Sequence, residues 1–174
     1  GFPEWMPRRM MATLSMTGTP MPTLYTKPGA CSLADHIVLR WIGAPFELRV
    51  VDATQMKEPP FLALNPAGSV PVYQEGDWVL TQNAAILGYL ADAHPEAALG
   101  GDGTPRGRAE VNRWLALLNA DLHPAFHPLF GSTKYLVDAD AIDRTRQHAM
   151  GKIRGYYERL DAQLAGRDYL LGAR

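Results

Sequence analysis

The sequence predicts an α/β domain of order β-α-β then β-β-α, followed by an all-helical region, and three observations carry that prediction. A short β-favouring run is cut by Pro28-Gly29 and gives way to apolar residues at helical spacing. A pair of strand-like runs is separated by Gly76-Asp77. Beyond a glycine-rich stretch the apolar residues recur only at helical spacing.

Taken in order, Thr23-Leu24-Tyr25-Thr26 is the first strand, and Leu33, Ile37, Val38 and Trp41 form the apolar stripe of the first helix. Ser32 and Asp35 have capping-box spacing at its start, and Gly43 supplies the stop. Phe46–Val50 alternates as a half-buried strand. Glu58-Pro59-Pro60 reads as a loop, and Asn65-Pro66-Ala67-Gly68-Ser69-Val70-Pro71 leads into a hairpin through Val72-Tyr73 and Trp78-Val79-Leu80. Thr81 is placed to cap the next helix, whose stripe is Ala85, Ile86, Tyr89 and Leu90 and which stops near His94-Pro95.

Leu99–Gly103 reads as a linker, and Thr104-Pro105 restarts the chain as an N-cap with proline at the first helical position. Val111, Leu115, Leu118 and Leu122 recur helically, as do Ala149, Ile153, Tyr156, Leu160 and Leu164. The expected organisation is a poorly ordered extension over 1–20, an α/β domain over 21–98, a linker over 99–103 and a helical domain over 104–174. The 1–20 segment lacks a sustained apolar core and does not read as a secretory signal.

Seventeen basic against eighteen acidic residues, with no long run of either sign, leave no electrostatic footprint for nucleic acid. No stretch approaches the roughly 18 consecutive apolar residues of a membrane span. A single cysteine cannot form an internal disulfide, so a reducing cytoplasm is the expected compartment.

That cysteine, Cys31, lies between a Pro-Gly turn and a helix start, where unsatisfied amides and the positive end of the helix dipole favour a thiolate. Lys27 nearby adds positive charge. Against this stands the ordinary fate of a lone cysteine, a small buried hydrophobe. Val70-Pro71 is a bond type for which cis is accessible; a cis bond would present the Val70 backbone to an extended peptide, whereas a trans proline at a strand start is the commoner case. Gln82-Asn83 at a helix start offers side-chain amides and main-chain N–H groups to a carboxylate, or simply caps the helix. His123 and His127 have i, i+4 spacing, but Pro124 and Pro128 interrupt the helix and no further ligand completes a metal set, so no metal is expected.

The strings LYTKPGACSLADHIVLRWIG, LNPAGSVPV, LTQNAAILGYLAD and WLALLNADLHPAFHPLF resemble the bacterial, beta-type glutathione transferases over nearly everything after Met21. The resemblance implies a thioredoxin-like N-terminal domain, a helical C-terminal domain, glutathione as co-substrate, a small electrophilic second substrate and a homodimer. By position it makes Cys31 the active-site cysteine and pairs Val70, with cis Pro71, with the cysteinyl backbone of glutathione. It assigns the γ-glutamyl end to Gln82 and Asn83 and the glycine carboxylate to Lys57, and brings His123 to the glutathione sulfur.

The chain departs from the family pattern at several places. Thr26 stands where many relatives carry tyrosine, with Tyr25 one step earlier on the opposite strand face. Pro124 follows the histidine where lysine is frequent, and Ala116 replaces a cross-subunit asparagine. At Tyr169–Arg174, where this sequence ends, relatives continue into a buried capped helix, so the sequence is expected to be a piece of a longer chain. The resemblance implies conjugation of glutathione; monothiol thiol-disulfide exchange at Cys31 and a catalytically weak glutathione-binding module are the alternatives.

Overall fold

The structure, a computed structural model, describes residues 21–172; the expected 1–20 extension lies outside the described residues. β1 (Thr23–Thr26) is buried along its whole length and is one of the two inner strands of a four-stranded sheet. It pairs in parallel with β2 (Glu47–Val50) and antiparallel with β3 (Val72–Glu75), which pairs antiparallel with β4 (Trp78–Thr81), giving the order β2-β1-β3-β4. Parallel strands cannot be joined by a tight turn, and α1 (Ser32–Ile42) is the crossover that joins β1 to β2.

Strand alternation separates two buried faces. On one, Tyr25 and its neighbour in register Val72 pack with Met56 and Phe61, the Tyr25 and Phe61 rings meeting edge to face at 5.9 Å. On the other, Leu24 and Tyr73 oppose one another and are almost wholly buried. Gly43 ends α1 in the left-handed conformation at φ 77°, its N–H donating to the Leu39 carbonyl at 3.1 Å. The hairpin between β3 and β4 turns at Gly76-Asp77, as its two-residue spacing predicts.

Three local readings are corrected. Ser32 and Asp35 form no capping box: Cys31 takes the N-cap position, while the Ser32 hydroxyl, fully buried, bonds to Thr26 Oγ1 at 2.8 Å. Glu58-Pro59-Pro60 is not a plain loop, because α2 (Pro59–Leu64) begins there after a short 3-10 turn, Gln55–Lys57. Prolines in a helix's first turn lose no hydrogen bond, since the N–H groups there have no intrahelical acceptor. Thr81 belongs to β4, and the N-cap of α3 (Asn83–Ala93) is Gln82, whose carbonyl accepts from Ile86 N–H at 3.0 Å.

The chain divides into two compact units between Leu87 and Gly88, within α3. In the second unit, Thr104 caps α4 (Pro105–Ala116), its hydroxyl accepting from Gly107 N–H at 3.0 Å. A π-helical stretch, Leu117–Leu122, leads into the short α5 (His123–Ala125) and α6 (His127–Phe130). Pro124 has no N–H to return to the preceding turn, and the widened helical turns accommodate that loss. α5 and α6 both pack against α7 (Ala139–Leu164), whose N-cap Asp138 accepts from the Asp140 and Ala141 amides. Trp114, Leu122, Ala149 and Ile153 are buried here; Leu122 lies on the first stripe read from the sequence and Ala149 and Ile153 on the second, whereas Trp114 lies on neither.

Candidate active site

The register Tyr25–Val72–Thr81 across β1, β3 and β4 fixes what meets at one end of the sheet. Because β3 runs opposite to its neighbours, the exit of β1, the entry to β3 and the exit of β4 all lie at that end. The turn carrying Cys31 follows β1, Val70-Pro71 precedes β3, and Gln82-Asn83 follows β4. The parallel pair Thr26–Val50 adds the exit of β2, and a cavity of ≈ 460 Å³ opens there between Lys27, Pro28, Val50, Val51, Asp52 and Gln55.

Cys31 is half-buried at the head of α1, in a turn closed by Ala30 N–H to Lys27 O at 3.1 Å with Gly29 at φ 76°. Burial pushes its thiol up, the Asp35 carboxylate pushes it further, and the Cys31 and Ser32 amides oppose the shift without overcoming it. The helix-start argument for a thiolate is therefore corrected. One buried carboxyl a turn away and the loss of water outweigh two amides.

Asp35 is the residue that sequence reasoning missed. It is fully buried, and its Oδ2 accepts from Asn83 Nδ2 at 2.9 Å, while Oδ1 has no partner among the described residues. Desolvation raises its pKa to about 7, against a smaller lowering by the Asn83 hydrogen bond. The available signal was its i+4 spacing from Cys31, which puts both on one helix face. The same Asn83 nitrogen donates to the Cys31 carbonyl at 3.2 Å, so Asn83 is turned inward. Gln82 is exposed and held in the left-handed region at φ 75°.

Asn65 builds the approach to β3: its Nδ2 donates to Ser69 O at 2.7 Å and its Oδ1 accepts from Ala67 N–H at 3.1 Å. The Val70-Pro71 bond is cis, and the Val70 side chain packs on the Tyr25 cluster. Lys57 donates from Nζ to Gly68 O at 3.2 Å, beside this same loop. Gly68 has φ 58°, and a Cβ there would stand 2.8 Å from both Lys57 Nζ and Met56 O. His123 belongs to the second unit, where it is exposed and its ring lies 5.8 Å from that of His127. Among the described residues no three His, Cys, Asp or Glu side chains gather as a metal set.

A β2-β1-β3-β4 sheet whose crossover helix opens on a cysteine, followed by a helical unit, defines a thioredoxin-like protein with the glutathione transferase fold, the class predicted from the sequence. Residues 30–93 match the glutathione S-transferase N-terminal domain. The chain is 62% identical to glutathione S-transferase GST-4.5 of Xanthomonas campestris over 86% of its own length and 73% of that protein's. The glutathione S-transferase from Xylella fastidiosa superposes with a TM-score of 0.85 at 52% identity, covering 88% of this chain and 75% of that one. A beta class enzyme of Sphingomonas chungbukensis gives 0.71 at 36%, covering 87% and 74%. The chain belongs to the glutathione S-transferase family, with the bacterial affinity its motifs indicated.

Proposed function

We propose that this chain transfers glutathione to small electrophilic substrates, with glutathione lying across the end of the sheet where Cys31, Val70-Pro71 and Gln82-Asn83 meet. The register Tyr25–Val72–Thr81 is the observation that carries this reading. Val70 stands two residues ahead of β3, outside the paired ladder, and is assigned to pair with the cysteinyl backbone of the tripeptide. Pro71, which cannot donate, directs that edge. The γ-glutamyl carboxylate is assigned to the exposed Gln82 side chain and the main-chain N–H of Asn83 at the start of α3. Asn83's side-chain amide already serves Cys31 and Asp35, so its contribution to the ligand is the main chain. Lys57, exposed and with donors beyond the one given to Gly68, is assigned to the glycine carboxylate.

The raised Cys31 thiol bears on its part in the reaction. A protonated Sγ–H donates a hydrogen bond to the glutathione thiolate, whereas a second thiolate would repel it. Glutathione's own sulfur then attacks the electrophilic carbon, forming a C–S bond as the leaving group departs; its proton has gone to solvent. His123 is the residue proposed to act on that sulfur from the helical unit. A homodimer and a cytoplasmic setting complete the proposal; the single cysteine of this chain suits a reducing compartment.

A spectrophotometric conjugation assay with a chloronitroaromatic tests the reading. The expected result is a glutathione-dependent rate above the buffer background, reduced in Cys31→Ala and His123→Ala. No rate above background from folded protein overturns it.

A further inference from the structure

We propose that Asp35 is a positioning residue for Cys31: bridged to it by Asn83, it holds the turn that carries the thiol, and its negative charge, when present, opposes ionisation of that thiol. The inference concerns the Cys31 thiol itself and holds whether or not glutathione binds as proposed above.

The geometry is a three-residue connection between two helix starts. Cys31 and Asp35 stand one turn apart on α1, and Asn83 opens α3. One Asn83 nitrogen spans them, giving 3.2 Å to the Cys31 carbonyl and 2.9 Å to Asp35 Oδ2. A hydrophobic residue at 35 would pack without desolvating a carboxyl, so an unshared acidic group here needs a reason beyond filling space. Its Oδ1, fully buried and unpartnered among the described residues, leaves the charged form uncompensated. Among the described residues no countercharge acts on it: only the Asn83 hydrogen bond and a main-chain hydrogen bond oppose its burial. From α3 it meets the neutral Asn83, and on that side of the sheet β1 presents Thr26, engaged with Ser32. On α1 itself His36 and Arg40 are bonded to one another, and Arg40 lies over the Phe46 ring. Burial sets Asp35 to titrate near neutrality and its charge raises the thiol, so the two groups titrate as a pair. With Asp35 protonated, burial alone is set against the Cys31 and Ser32 amides; with Asp35 ionised, a carboxylate adds to burial.

The test is the rate of Cys31 alkylation by iodoacetamide across pH 5 to 10, for the unmodified chain and for Asp35→Asn. The chain has one cysteine, so intact mass reports that site alone. Asparagine keeps an acceptor for Asn83 and removes the charge. The expected result is a lower alkylation midpoint and a rate about three- to tenfold higher at pH 8, as follows from deleting one nearby charge. An unchanged midpoint in folded Asp35→Asn overturns the proposal, because a merely structural role would leave the pH profile in place. Should the variant fail to fold, 13C-carboxyl NMR of the unmodified chain decides. A carboxyl titrating near pH 7, with a matching inflection in the alkylation curve, supports the pairing; titration of Asp35 in the ordinary carboxylate range overturns it.

Discussion

A carboxyl buried without a countercharge makes folding depend on pH in a direction opposite to most acidic groups. The Asp35 pKa rises from an ordinary 3.8 to about 7 in the folded chain, so between those values the folded state binds more protons than the unfolded one. Its contribution to stability is fully present below about pH 4 and is lost as pH rises through 7. The shift corresponds to an effect on the order of 4 kcal/mol across the whole range. Thermal melts of the unmodified chain are expected to fall in midpoint between pH 5 and 8, and those of Asp35→Asn to stay nearly flat over that window. Equal slopes in the two proteins contradict the assignment. Sequence reasoning reached Cys31 through its turn and helix start, yet it misjudged the thiol. Charge and desolvation depend on what lies opposite the helix, and only the fold brings Asn83 against Cys31, 52 positions away, and Asp35, 48 positions away.

At the scale of elements, the strands were legible from alternation that ends at Gly76-Asp77, and α1 from its stop at a glycine with positive φ, but the apolar stripe read for α1 is not its buried face: Leu33, Ile37 and Trp41 are exposed, while Ser32, Asp35 and Leu39 are buried. α2 escaped notice because two prolines read as a break, although in a first turn they cost nothing. The cap of α3 was misplaced by one residue, since Thr81 is claimed by its pairing with Val72 in the sheet. Where cap chemistry and position agree the contribution is measurable. Thr104→Ala, which deletes the hydroxyl that accepts from Gly107, is expected to cost about 1 kcal/mol in denaturant unfolding. The loop before β3 is less tolerant. Gly68→Ala places a methyl 2.8 Å from the Met56 carbonyl at a left-handed φ, and is expected to cost about 1–3 kcal/mol. The same change displaces the segment leading to Val70, so glutathione affinity measured by calorimetry is expected to fall with it, whereas Thr104→Ala leaves that affinity unchanged.

For the molecule as a whole, the sheet's mixed topology does the work of assembly. One antiparallel strand inserted beside a parallel pair brings a cysteine turn, a proline-led strand entry and a helix start to one end, from positions that span more than fifty residues. Family resemblance indicated that these motifs belong together, and strand register supplies the physical reason. No helix among the described residues is long and apolar enough to cross a membrane. The most direct test of the central claim is a titration of the 15N-labelled chain with glutathione, followed by amide chemical shifts. The account requires saturable shifts concentrated at Cys31, Val70, Gln82 and Asn83. Shifts absent at millimolar glutathione, or confined to residues remote from that end of the sheet, would contradict it.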